Sequence, residues 1–235
     1  MKKPVLKFDN VSLFYKNRLG IFGAKNWVIK DLTFDLLHGE VLGVIGKNGA
    51  GKSTLLRLLA DIIAPNSGRI WREENTRAQL LTLNLGFIQD LNGVDNIVLS
   101  LVSQGLPIKH AKSLIETVTD YAELAHVIRQ PLRTYSAGQK ARLGFAIALQ
   151  ATPDVLLLDE ILGVGDKDFQ EKSSKALAEV VQSEQTVVLV SHSSNTIEKY
   201  CQRTLWIEQG SCKMLGETSD VLDAYHANQA TAQNT

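Results

Sequence analysis

Gly46, Gly51, Lys52 and Ser53 are spaced as GxxxxGK[ST] inside the run VLGVIGKNGAGKST. This is the pattern of a phosphate-binding loop. Its glycines let backbone N–H groups crowd around an anion where a Cβ would collide. Lys52 supplies a point charge for β- and γ-phosphates, and the Ser53 hydroxyl suits Mg²⁺. Asn48, Gly49 and Thr54 belong to the same cradle. With glycine near about 7% of ordinary residues, the pattern arises by accident in roughly one chain per hundred. The apolar run before it and the helical run after it lower that further.

Further along, VLLLDE (155–160) is an apolar strand ending in two carboxylates. Beside a phosphate cradle, Asp159 would hold the metal through water and Glu160 would orient and polarise an attacking water. Taken alone, the pair could be an ordinary strand end. TVVLVSH ends another strand in His192, at the sheet edge where loops converge on a γ-phosphate. A third stretch, RTYSAGQKARLGF (133–145), opens a helix. Ser136 and Gln139 have the spacing of a capping box. Gly138 is not needed for one, and a glycine in a first turn costs stability. A bare first turn is instead what an anion would bind.

These residues need a scaffold that brings distant segments to one edge. The N-terminal third alternates short apolar runs with turns, and STLLRLLADII has helical spacing up to Pro65. The run SGRIWREENTRAQLL (67–81) reads as a polar β-hairpin turning at Asn75. From about 92 to 150 the pattern is helical, broken at GLP (105–107) and RQPLR (129–133). Two buried-strand runs, VLLLD and TVVLVS, flank the helix-like FQEKSSKALAEVVQ. Strands alternating with helices imply an α/β fold with a parallel sheet, into which a helical subdomain is inserted. The end gives one short helix and, from about 226, a polar tail.

The 235 residues suffice for one large domain. Formal net charge is zero, which argues against bulk binding to nucleic acid or anionic lipid. Cys201 and Cys212 match no zinc or CxxC spacing, and two cysteines in so long a chain suit a reducing interior. No apolar run approaches the roughly 18–20 residues of a membrane helix.

Taken together, the motifs resemble the nucleotide-binding subunits of ABC transporters over essentially residues 5–225. GKNGAGKS resembles Walker A, VLLLDE Walker B with its catalytic Glu160, SH at 191–192 the switch histidine, and ILGVGD a D-loop carrying Asp166. YSAGQ occupies the place of the signature LSGGQ, with Tyr135 for leucine and Ala137 for glycine as departures. The resemblance implies a P-loop NTPase core with an antiparallel β subdomain and an inserted helical subdomain, working as a homodimer met head to tail. Ser136, Gly138 and Gln139 would then read the γ-phosphate of ATP on the partner. Tyr15 would stack on adenine, or else pack on the core as a strand residue. Gln89 would be the Q-loop metal ligand, in a shortened loop.

Within that family, RTYSAGQKARLGFAIAL, DEILGVGDKDFQEKS, LGFIQDLNGVDNIVL and the segment from Cys201 to Ala227 are similar to exporters of lipid-linked polysaccharide, namely O-antigen, capsule and teichoic acid. This implies an ATPase at the cytoplasmic face of the bacterial inner membrane, two copies of a separate polytopic permease, and no nucleic acid partner. No carbohydrate-binding domain is expected within residues 1–235. A different cargo, or a soluble non-transport ABC ATPase, are the alternatives; the long coiled-coil arms or second cassette of the latter are not in the sequence.

Overall fold

A computed structural model describes residues 2–16, 25–81, 86–150, 153–159 and 167–233. Two compact units emerge: Met1–Leu80 with Asp154–Glu160 and Val180–Thr235, and Leu81–Pro153 with Ile161–Glu179.

The first unit contains two sheets. In one, β1 (Pro4–Lys16) lies between β2 (Lys25–Leu37) and β4 (Ser67–Arg72), all antiparallel. On β2 the buried Leu32, Phe34 and Leu36 alternate with exposed residues, and Phe34 stacks on Phe8 of β1 with ring centroids 4.7 Å apart. The other sheet has the order β5 (Ala78–Leu81), β6 (Val155–Asp159), β7 (Thr186–Val190), β3 (Val41–Ile45), β8 (Arg203–Glu208), β9 (Ser211–Glu217). β3 and β7 are buried at every position, as parallel strands covered on both faces are.

Helix α1 (Lys52–Leu59) is too short to be stable alone. Leu55, Leu56, Leu58 and Leu59 bury completely in the core shared with both sheets. Each such side chain contributes roughly 1.5–3 kcal/mol. The helix ends where Asp61 turns left-handed, and Arg72 on β4 donates to the Leu58 and Leu59 carbonyls, both at 2.7 Å. Helix ends leave such carbonyls short of partners, and that of Leu58 also accepts from Asp61 N–H at 3.2 Å.

The Arg72 contact also overturns the hairpin expected over 67–81. The turn at Asn75 is present, with φ 62°. The strands on either side of it, however, belong to different sheets. β4 joins β1 and reaches α1 through Arg72, whereas β5 lies beside β6, where the Arg77 carbonyl accepts from Val155 N–H at 3.1 Å.

At the C-terminus, helix α8 (Thr218–Gln233) runs through most of the segment read as a polar tail. The alanines at 224, 227 and 230 favour it. Tyr225 packs edge-on to Trp206, ring centroids 5.3 Å apart, and His226 meets Ser194 of α7 (Ser194–Tyr200) at 2.8 Å.

The second unit is helical: α2 (Gly93–Ser103), α3 (Ile108–Ser113), α4 (Ile115–Ala122), a 3-10 turn at Leu132–Thr134, α5 (Ala137–Gln150) and the first turns of α6 (Lys167–Gln182). Ile97, Leu101, Val118, Leu132 and Leu143 form its fully buried centre. Among the described residues, no helix is long and apolar enough to cross a membrane.

Candidate nucleotide-binding site

The register of three parallel strands aligns the chemistry in the first unit. Val190 on β7 lies opposite Val44 on β3 and opposite Asp159 on β6. Neighbouring strands are about 4.8 Å apart, so Asp159 stands roughly 10 Å from the β3 backbone that runs into Gly46. His192 follows two residues after Val190. Three segments that share no local sequence thus finish at one carboxyl edge.

The loop from Gly46 to Gly51 turns tightly, with Ala50 N–H donating to the Lys47 carbonyl at 3.1 Å. Gly51 is the N-cap of α1, at φ 109°, and no side chain caps the helix. A Cβ on Gly51 would lie 2.8 Å from the Val28 carbonyl, so both its conformation and its surroundings demand glycine. An uncapped helix start, at the positive end of the peptide dipoles, is suited to an anion. Lys47, Asn48, Gly49 and Ser53 are exposed, and Thr54 is half-buried. Lys52 is buried, its ammonium donating to the Gly46 carbonyl at 2.8 Å and to the Lys47 carbonyl at 3.3 Å.

Asp159 is half-buried at its strand end. The Ser53 hydroxyl and this carboxylate are hard oxygen donors, the set that suits Mg²⁺ retaining phosphate and water ligands. Around His192, which is exposed, the backbone is fixed locally. Ser193 N–H donates to the Ser191 hydroxyl at 3.1 Å, and the Ser193 hydroxyl caps α7. Glu160 and Asp166 lie outside the described residues.

Tyr15 is 45% exposed and pairs with Asn26, two residues before Val28. Packing on the core is therefore not what places it there. Its ring is available near the strand end that abuts Gly51.

In the second unit, α5 begins with a complete capping box. Gln139 N–H donates to Ser136 Oγ, and Ser136 N–H donates to Gln139 Oε1. A Cβ on Gly138 would meet only Ser136 Oγ, at 3.8 Å. Tyr135 is buried, and its hydroxyl donates to the Val127 carbonyl at 2.8 Å. That burial raises its pKa. Its place in the motif is thus explained by packing. Gln89 has its side-chain oxygen on the Lys140 ammonium at 2.8 Å, and its carbonyl accepts from Arg133 N–H.

The residue that organises this segment escaped the sequence reading. Asn96 is 1% exposed; its amide accepts from Ile88 N–H and donates to the carbonyls of Ile88, Leu91 and Asn92. A polar residue among the apolar positions of VDNIVLSLV was the available signal.

A glycine loop opening an uncapped helix at the carboxyl edge of a parallel sheet defines a P-loop nucleotide-binding fold. The family model described as ABC transporter matches residues 29–163, and the chain belongs to that family. It is 37% identical over 215 residues to the teichoic acids export ATP-binding protein TagH of Bacillus cereus, covering 92% of this chain and 38% of TagH. It is also 37% identical over 241 residues to the O-antigen export system ATP-binding protein RfbB of Klebsiella pneumoniae, covering 95% of this chain and 98% of RfbB. The chain spans only 38% to 42% of the length of the first two TagH relatives. In fold it is similar to the ATP-binding cassette MJ0796, solved as a dimer in a post-hydrolysis state with ADP and Pi. The TM-score is 0.74 at 20% identity, over 91% of this chain and 98% of that one. The mixed sheets and helical unit are those of an ABC ATPase cassette.

Proposed function

We propose that this chain is the ATP-hydrolysing subunit of an ABC exporter for lipid-linked polysaccharide such as O-antigen or capsule. It works as a homodimer at the cytoplasmic face of the bacterial inner membrane, beneath two copies of a separate permease. The observation that carries the catalytic part is the shared row of Val44, Val190 and Asp159, which leads into the loop, His192 and the metal ligand respectively. The export part is supported by the names of TagH and RfbB, the latter matched over nearly its whole length.

In this reading Lys52 leaves the loop carbonyls for the β- and γ-phosphates, and the first-turn amides of α1 hold the same anion. Ser53, Asp159 through water, and Gln89 would hold Mg²⁺, which when bound would neutralise charge on the phosphates. Glu160 orients the attacking water, and His192 contacts the γ-phosphate. Tyr15 stacks on adenine through its ring face. Ser136, Gly138, Gln139 and Asp166 complete the partner's site, so that closing around ATP and reopening after hydrolysis move the permease.

The test uses the subunit purified with its permease. Glu160→Gln should bind ATP while hydrolysis slows by roughly 10²–10⁴-fold. Near-normal turnover would contradict the assignment. In cells, Lys52→Ala should leave glycan on its lipid carrier inside the inner membrane; unchanged surface polysaccharide would refute the cargo.

A further inference from the structure

The phosphate loop is braced from outside by backbone that belongs to no nucleotide motif. β8 and β9 are joined by Gln209 and Gly210, with φ 49° and 84°. Two successive positive values are those of a tight type I′ hairpin turn. Gly210 uses both its backbone groups outside the hairpin. Its N–H donates to the Ala50 carbonyl at 3.1 Å, and its carbonyl accepts from Lys30 N–H at 2.8 Å. One residue therefore ties the phosphate loop to β2.

The third member of the brace is a bulge in β2. Leu13 pairs with Ile29 but Phe14 with Trp27, which leaves Val28 as the extra residue. Its carbonyl faces two glycines: a Cβ would approach it to 2.4 Å from Gly210 and to 2.8 Å from Gly51. At the loop's other end, the Ile207 carbonyl of β8 would lie 2.3 Å from a Cβ on Gly46. The turn, the bulge and the loop thus approach one another backbone to backbone, with the end of the Ile29 side chain also against Gly51.

The consequence follows from the peptide unit. In a planar trans peptide, the C=O of one residue and the N–H of the next point in opposite directions. Holding the Ala50 carbonyl outward, on Gly210, aims the Gly51 N–H to the loop's other side. We infer that Gly210 is a positioning residue for phosphate binding, acting through the Ala50–Gly51 peptide to hold a cradle donor in place. This rests on the nucleotide-binding reading above. It adds a residue more than 150 positions downstream of the loop.

The test compares Gly210→Ala with Leu215→Ala in the full chain. Leu215 is half-buried on β9, pairs with Leu205 and packs on the same core, away from the turn. Both variants lower the thermal midpoint. By calorimetry, Gly210→Ala should raise the Kd for Mg-ATP and for inorganic tripolyphosphate at least 10-fold, whereas Leu215→Ala should stay within twofold of wild type. Equal affinities in wild type and Gly210→Ala would overturn the inference, as would equal losses in the two variants. Wild type that binds no ATP would instead refute the nucleotide-binding reading itself. Should Gly210→Ala not fold, amide exchange on wild type decides. Mg-ATP should slow exchange at Gly210 more than along β9, and the absence of that difference would overturn the inference.

Discussion

Gln139 gives its backbone N–H to the Ser136 hydroxyl at 3.1 Å, and Ser136 returns the bond through its own N–H to Gln139 Oε1 at 2.9 Å. The exchange satisfies the start of α5 without covering it, since a Cβ on Gly138 would meet nothing within 4 Å but the Ser136 hydroxyl. The two roles of Ser136 can therefore be separated. Ser136→Ala should lower stability by about 1 kcal/mol in urea unfolding. Ser136→Asp should restore the cap, because a carboxylate accepts the same bond. In the proposed dimer it should nevertheless impair ATP-dependent dimerisation, because it sets a negative charge on the side that would face the partner's phosphate. Undiminished dimerisation by Ser136→Asp would leave the cap as the residue's sole role.

Tyr135 separates differently. Removing its hydroxyl in Tyr135→Phe takes away the donor to the Val127 carbonyl, which should cost about 1–3 kcal/mol if that carbonyl stays dry. ATP affinity of the folded variant should not change, because the ring is buried within the helical unit. A shift in affinity without a shift in melting temperature would contradict this.

The motifs were legible because their chemistry is local. GKNGAGKS needs its glycines and lysine within one loop, and the capping box of Ser136 and Gln139 closes within one helical turn. Alternation of strands with helices also sufficed to expect a parallel sheet. What escaped depends on partners remote in sequence. Asn75 announced a turn, but nothing near it told which sheet each flanking strand would join. That choice rests on Arg72 reaching the end of α1 and on Leu80 of β5 packing against the core beside β6. Nothing near Gly210 in the sequence tells that its N–H meets the carbonyl of Ala50, far upstream. Asn96 is similar: its acceptors are the carbonyls of a loop whose course the sequence did not reveal.

Cys201 offers a test of the packing behind the strand ends. Burial pushes its thiol pKa up to about 12. An unfolded thiol ionises near about 8.5. The folded chain thus keeps a proton that the unfolded chain releases. Its stabilising effect is complete below about pH 8.5 and is lost at about 1.4 kcal/mol per pH unit as pH rises toward the folded value. Relative to Cys201→Ala, the native chain should lose about 2 kcal/mol more between pH 8.5 and pH 10. Parallel urea-unfolding curves for the two proteins across that range would show the thiol to be accessible to water.

In the proposed dimer each ATP site is completed by α5 of a second copy, and one mixing experiment tests this directly. Lys52→Ala damages the loop side of a site, and Gly138→Asp damages the α5 side by bulk and like charge. Each folded variant alone should show little ATP-dependent dimerisation or hydrolysis. In a mixed dimer, one site carries both lesions and the other carries neither. Hydrolysis that returns on mixing the two, with unchanged melting temperatures, is the expected result. Gly138→Asp that dimerises and hydrolyses ATP normally by itself would contradict the claim, as would a mixture no more active than its parts.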